Sequence, residues 1–403
     1  MNRYKHWKAG QLIITGGIFT FILSASFLLL IASEDESAAQ SKDYQTYGAK
    51  DYLPVFYEKL AERQVYPMSW LQGEKGDFSI WRREARNKVF ECMLTPPPVV
   101  PFQPVVISEQ DRGSYVAKKI VFNISGDSRV LAFMLVPKSK GPHPAVLLLH
   151  DHGARFDIGK EKVIEPWDEP AEKMQSAREW VKECYGGRFI GDELAKKGYV
   201  CFSTDMLNWS DRNGGGYDTQ QALASNLFNL GSSFAGIIAY EDLQAAEFLS
   251  QQSDVDPARI AAMGLSVGGF RTWQIAALSD KISAGVSVCW MSTYKALMVP
   301  GNNMVGGNSA YTMVHPGLSH YLDYPDVASV ACPKPMMFCC ASKDPLFPLE
   351  SIEAAFDKMR KVWDSQDAGD KLVTKLYPTF HEYSLDMQSD AFSWLDKVLK
   401  NNR

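Results

Sequence analysis

Along most of the chain, hydrophobic positions come in two textures: short unbroken runs, and longer stretches where apolar side chains recur every three or four residues. The runs at residues 145–149, 199–203, 260–263, 285–289, 335–340 and 373–376 read as strands buried on both faces. Helical spacing is predicted over residues 189–197, 234–251, 269–278, 352–363 and 387–401. Strand and helix alternate, which predicts an α/β fold with a mostly parallel central sheet and helices on both faces. Three further strand-like stretches, 104–108, 115–123 and 130–137, precede that region, and Gly126-Asp127 makes a hairpin-type turn between the last two. They predict antiparallel entry strands. Two long connections, 154–187 and 292–329, follow strands at the carboxyl edge of the sheet. Open α/β sheets bind ligands at that edge, and loops of such length cap a site.

The upstream texture is helical. Tyr52, Val55, Phe56 and Leu60 share one face, as do Trp81, Ala85, Val89 and Phe90, until Thr95-Pro96-Pro97-Pro98 ends the region. Residues 40–100 therefore read as a helical N-terminal extension, too small for its own core, packed on a catalytic domain over 101–403. Residues 1–39 differ from both: Arg3, Lys5 and Lys8 precede an uncharged apolar run over 12–32, followed by Glu34-Asp35-Glu36 and the small residues Ser37-Ala38-Ala39. This is the pattern of a signal peptide or of an N-terminal membrane anchor, with the signal preferred. Either reading puts the folded part outside the cytoplasm, periplasmic or extracellular, with membrane contact only through this segment if it is uncleaved.

Composition narrows the function more than the fold. A 46% hydrophobic, 22% charged chain of 403 residues has ample material for a core, and a net charge of −5 gives no electrostatic case for nucleic acid. The seven cysteines do not form a disulfide framework: Cys201, Cys289, Cys339 and Cys340 fall in strand-like runs, where cysteine acts as a small hydrophobe.

The chemistry-bearing stretch is Gly264-Leu265-Ser266-Val267-Gly268-Gly269, set between the 260–263 strand and the 269–278 helix. Strand, G-x-S-x-G and helix form a nucleophile elbow, in which glycines relieve crowding around a serine at strained backbone angles. The turn lifts the Ser266 hydroxyl above the sheet and aims the Val267 N–H at the place where an oxyanion would form. Gly231-Ser232-Ser233-Phe234-Ala235 nearly matches but follows no strand. A serine hydroxyl needs a base oriented by an acid, and in this architecture acid precedes histidine along the chain. Asp344 leaves the 335–340 strand and His381 follows the last strand, so both sit where that order requires. Glu350, Glu382 and Asp386 are rival acids, none leaving a strand end as directly. The loop His150-Asp151-His152-Gly153 is expected to supply the second oxyanion donor, the His152 N–H. His150 and His152 also invite a metal reading, but no HExxH motif or third ligand of characteristic spacing accompanies them. Trp290 and Asp151 are candidate pocket residues, Trp290 having core packing as its alternative. Asp211 and Arg212 are expected to form a loop-bracing ion pair.

Together, His150-Asp151-His152-Gly153, Asp205 with Asp211-Arg212, the Ser266 elbow, Asp344 in Lys-Asp-Pro-Leu-Phe-Pro and His381-Glu382 resemble the α/β-hydrolase superfamily. The likeness runs from about Val105 to the C-terminus and is nearest to dienelactone-hydrolase-like and acetyl-xylan-esterase-like bacterial members. It implies cofactor-free ester hydrolysis through an acyl-enzyme, with Ser266, Asp344 and His381 as the triad. Serine here replaces the cysteine of true dienelactone hydrolases, and the Arg-Gly-Gln oxyanion motif of the cephalosporin-C-deacetylase type is missing. The expected partner is a small-molecule or oligosaccharide ester, and exported relatives point to a carbohydrate-linked one. The alternatives are a peptidase of the prolyl-oligopeptidase type, against which the lack of a propeller-sized domain argues, and a non-catalytic protein that kept the fold.

Overall fold

A computed structural model of the chain describes residues 48–73, 76–302 and 312–400. The expected leader at 1–39 lies outside the described residues. Gly48 onward forms a tight hairpin, β1 (Ala49–Lys50) and β2 (Leu53–Pro54), and then α1 (Tyr57–Glu62). The sequence reading of one helical face through Tyr52, Val55, Phe56 and Leu60 is corrected here. Asp51 and Tyr52 take positive φ in the hairpin turn, Tyr52 is 80% exposed, and α1 buries none of its residues. The second predicted face does form: α2 (Phe78–Cys92) starts at the Asp77 cap, whose carboxylate accepts from Ser79 N–H and Ile80 N–H, and buries Ala85 and Val89.

Strands β3 (Val105–Asp111), β4 (Tyr115–Asn123) and β5 (Arg129–Pro137) make the antiparallel entry. Next come β6 (His143–Leu149), α3 (Ala171–Cys184), α4 (Ile190–Lys196), β7 (Val200–Thr204), α5 (Tyr217–Asn229) and α6 (Phe234–Ser250). The remainder is β8 (Val255–Leu265), α7 (Val267–Leu278), β9 (Ala284–Val288), α8 (Tyr294–Leu297), α9 (Tyr324–Ser329), β10 (Met336–Ala341), α10 (Leu349–Asp364), β11 (Leu372–Tyr377) and α11 (Leu385–Leu399). All six runs singled out in the sequence are strands, but the last, β11, is at the edge of the sheet and only half-buried, not covered on both faces. The two long connections carry helices of their own; the predicted loop at 154–187 contains α3, which buries Ala177, Trp180 and Val181 on one face.

Nine strands form one sheet in the order β11-β10-β9-β8-β6-β7-β5-β4-β3, parallel from β11 to β7 and antiparallel beyond. Alternate residues of β6 feed opposite layers. Leu147 and Leu149 join the core under α6 and α7, whereas Val146 and Leu148 join the core under α3, α4 and α11. The chain leaves β6 toward β7 on one side and returns to β8 on the other, so the carboxyl ends of β6 and β8 flank the crevice where strand order reverses. No single helix among the described residues is long and apolar enough to cross a membrane.

Candidate active site

Ser266 stands alone between β8 and α7, at φ 56° and ψ −126°. Its N–H donates to the Val288 carbonyl at 2.8 Å, which ties the elbow to β9. The glycines answer to contacts on either side of this turn. A Cβ on Gly268 would overlap the Leu149 carbonyl of β6, and one on Gly264 would overlap the same oxygen as well as Gly268 itself. β6 can therefore pass against the elbow only because both positions lack side chains. Val267 opens α7, so its N–H belongs to the unpaired, electropositive end of that helix.

Asp344 and His381, the candidate acid and base, are brought together by the pairing of β10 with β11. Ala341 lies opposite Tyr377 in that parallel ladder, and two further bonds join the loops beyond it: Ser342 N–H to the Tyr377 carbonyl at 2.8 Å and Lys343 N–H to the Thr379 carbonyl at 3.1 Å. Asp344 and His381 emerge side by side. His381 Nδ1–H donates to Asp344 Oδ2 at 2.6 Å, and the other carboxylate oxygen accepts from Leu346 N–H at 2.9 Å. With the proton on Nδ1, His381 Nε2 carries a lone pair; it is buried and has no hydrogen-bond partner among the described residues. The Phe347 ring stacks on the imidazole. Ser266 and His381 line one cavity of about 180 Å³, together with Asp151, His152, Gly153, Trp180, Tyr217 and Leu346. A larger groove, about 960 Å³ between residues 99–104 and the end of α6, is lined by neither Ser266, Asp344 nor His381.

The β6 loop is held from behind. His150 accepts from Met206 N–H on Nε2 at 3.0 Å and donates from Nδ1 to the Asp151 carbonyl at 2.9 Å. His152 accepts from Ala154 N–H on Nδ1 and donates from Nε2 to Gln220 at 3.0 Å. Burial pushes His152 down to about 4 and His150 well below its ordinary value. With all four ring nitrogens engaged, the two histidines are structural braces, not a ligand pair. Cys289, Asp344 and His381 also bring ligand-type atoms within 4.8 Å of one another, but burial pushes the Cys289 thiol well up, away from the thiolate a metal would need.

Three sequence expectations shift. Trp290 belongs to the core: its indole packs against Phe270, Trp273, Tyr324 and Phe347, and it does not line the cavity. Asp151 does line the cavity, but its carboxylate serves as a buttress, accepting from Tyr185 OH at 2.6 Å and Trp180 Nε1 at 3.1 Å. Asp211 and Arg212 do not pair with each other. Arg212 grips Glu241 through two bonds of 2.6 and 2.8 Å, while Asp211 takes Lys160 at 2.6 Å and Lys173 at 2.9 Å. Each side chain is nearer a buried opposite charge on another element than its chain neighbour. Lys160, fully buried, also meets Asp205 at 2.7 Å. Burial alone would lower Lys160, but Asp205, Glu161 and Asp211 outweigh it and hold the ammonium charged.

Sequence reasoning missed the cavity walls Trp180 and Tyr217. The apolar spacing that places Ala177, Trp180 and Val181 on one face of α3 was available as a signal. Tyr217 offered none, since it reaches the site through packing between distant segments, stacking on His152 and meeting Phe156 edge-on.

Comparison with known proteins gives the same outline. A profile of the Abhydrolase family matches residues 62–383. The Bacillus subtilis (strain 168) protein YtaP, described as a candidate hydrolase, is 26% identical over 319 residues, covering 79% of this chain and 100% of that protein. A Bacteroides fragilis NCTC 9343 protein described as a candidate acetyl xylan esterase superposes with a TM-score of 0.63 at 17% identity, over 83% of this chain and 86% of that one. A glucuronoyl esterase from Solibacter usitatus superposes with a TM-score of 0.57 at 13% identity, over 81% and 94% of the two chains. A strand-borne serine between crowded glycines, a nine-stranded mixed sheet and a family match spanning most of the described residues lead to one assignment: the chain belongs to the Abhydrolase family of α/β-hydrolases.

Proposed function

We propose that this hydrolase cleaves carboxylic esters through Ser266, His381 and Asp344. The observation that carries the reading is the 2.6 Å bond from His381 Nδ1–H to Asp344, made by a ring that shares its cavity with Ser266. That bond fixes the tautomer whose Nε2 can take a proton. In the first half-reaction Ser266 Oγ attacks the ester carbonyl, His381 Nε2 takes the hydroxyl proton, and Asp344 stabilises the imidazolium. The alkoxide leaving group receives that proton as the tetrahedral intermediate collapses to an acyl-enzyme. Water then repeats the sequence against the acyl group, returning Ser266 and releasing a carboxylic acid. The Val267 and His152 N–H groups are the proposed oxyanion donors.

The cavity favours a short, uncharged acyl group. At about 180 Å³ it lies below the range of roughly 300–1,000 Å³ common for drug-sized ligands, and no Lys or Arg is among its described lining residues. Solved relatives whose names include acetyl xylan and glucuronoyl esterases support a carbohydrate as the alcohol or acyl carrier. The N-terminal pattern supports export. A fluorophosphonate probe should label the wild-type protein and leave Ser266→Ala unlabelled. Ser266→Ala should also lose about four to six orders of magnitude in kcat on p-nitrophenyl acetate. Less than a tenfold loss in a folded variant would remove the assignment. A panel of acetylated, feruloylated and methyl-uronate sugars would identify the ester, and mass spectrometry of the mature N-terminus would show whether residues 1–39 are removed.

A further inference from the structure

Lys162 is fully buried behind the β6 loop residues it touches and is not among the residues that line the cavity. Its ammonium donates to two consecutive backbone carbonyls, Asp151 at 3.1 Å and His152 at 2.8 Å, and stands 3.5 Å from Asp151 Oδ1. Each carbonyl also takes a second donor: His150 Nδ1 at 2.9 Å on Asp151, and Trp209 Nε1 at 3.0 Å on His152. In a trans peptide the carbonyl and the following N–H point in opposite directions. Drawing both oxygens onto one ammonium therefore turns the His152 and Gly153 N–H groups together to the opposite side. Gly153, at φ +58°, is the residue beyond which the chain departs. Two successive N–H groups aimed the same way form a concave anion site, and both residues line the cavity with Ser266 and His381. Burial pushes Lys162 down, and the Asp151 carboxylate opposes that. A charge held so deep polarises the peptides it touches and strengthens them as donors.

We propose that Lys162 is a positioning residue for the oxyanion pocket, clamping the Asp151–His152 and His152–Gly153 peptides so that two N–H groups meet the negative oxygen of the tetrahedral intermediate. The inference rests on the serine-esterase reading above and adds to it both the clamp and the Gly153 donor. The test is Lys162→Met, nearly isosteric and uncharged, measured beside Ser266→Ala on p-nitrophenyl acetate. The clamp predicts a fall in kcat of about 10–100-fold with KM within threefold, since donors are misaimed and ground-state binding is not. It also predicts a comparable rise in Ki for phenylboronic acid, whose tetrahedral serine adduct places an oxygen in the same pocket. Lys162→Gln, which keeps amide donors, should recover part of both.

A folded Lys162→Met with kcat within threefold of wild type, or with lost kcat but unchanged boronate affinity, overturns the clamp. Should that variant fail to fold, Lys162→Gln carries the test and must show the same paired loss, about three- to tenfold; unchanged kcat there overturns it too. An active Ser266→Ala overturns the esterase reading and the clamp with it, whereas an inert Ser266→Ala beside a fully active Lys162→Met overturns the clamp alone.

Discussion

Replacing Asp344 by Asn isolates the electrostatic half of the proposed chemistry. One carboxylate oxygen accepts from Leu346 N–H at 2.9 Å, a bond the Asn carbonyl can keep. The loop should therefore hold its shape, and the amide NH2 takes the place of the oxygen facing His381. An NH2 there donates, so His381 must present a lone pair at Nδ1 and carry its proton on Nε2. A protonated Nε2 cannot take the Ser266 proton. The charge lost is also large: at the observed 2.6 Å and an effective dielectric constant near 20, a carboxylate–imidazolium attraction is worth about 6 kcal/mol. Only part of that charge develops in the transition state, so kcat should fall about 10³–10⁴-fold. The assay is steady-state hydrolysis of p-nitrophenyl acetate, with KM within about threefold and a circular-dichroism melt matching wild type. A folded Asn variant retaining more than a tenth of wild-type kcat would refute the reasoning, because neither tautomer nor charge would then matter.

Other perturbations test the surroundings. Arg271 of α7 makes a two-bond pair of 2.6 and 2.8 Å with Asp242 of α6, both essentially fully buried, so Arg271→Met should cost about 3–5 kcal/mol in denaturant unfolding by stranding the carboxylate. Gly268→Ala drives a methyl into the Leu149 carbonyl; it should abolish fluorophosphonate labelling and lower the melting temperature. Burial lowers His150 well below its ordinary value and brings His152 and His315 to about 4. At these histidines the unfolded chain therefore binds more protons than the native one between about pH 6.5 and 4. The histidines' contribution to stability is full above 6.5 and is lost as pH falls through that window, by about 1–2 kcal/mol per histidine at pH 5, against an opposing gain from Asp205 and Asp323, which burial raises to about 6. Urea unfolding of wild type and His315→Asn at pH 7.5 and 5 would isolate the histidine term: the variant should lose about 1–2 kcal/mol less than wild type, or gain more, between the two pH values.

The strand framework was legible because all but the last of the parallel strands are covered on both faces: runs such as 145–149 and 335–340 have no polar positions to obscure them. Ser266, Asp344 and His381 were legible for a related reason. Each follows a strand directly, so topology fixes its edge of the sheet. What escaped was whatever depends on distant packing. Trp290 follows a strand too, but which way the indole turns is decided by Phe270, Tyr324 and Phe347. Asp211 and Arg212 are neighbours in sequence, and only the fold shows that Lys160 and Glu241 offer them better partners. Tyr52 sits in an apolar spacing that suits a helix, but the local Asp51-Tyr52 turn prevails.

The ladder between β10 and β11 has a bearing on how this protein is made. Its loops carry Asp344 and His381, the proposed acid and base, and both come well after Ser266 along the chain. During synthesis the serine and its elbow emerge from the ribosome first, and the imidazole comes only with the final stretch. A nascent or prematurely terminated chain would carry the Ser266 hydroxyl with neither Asp344 nor His381 beside it, and under the proposed chemistry it would have no base.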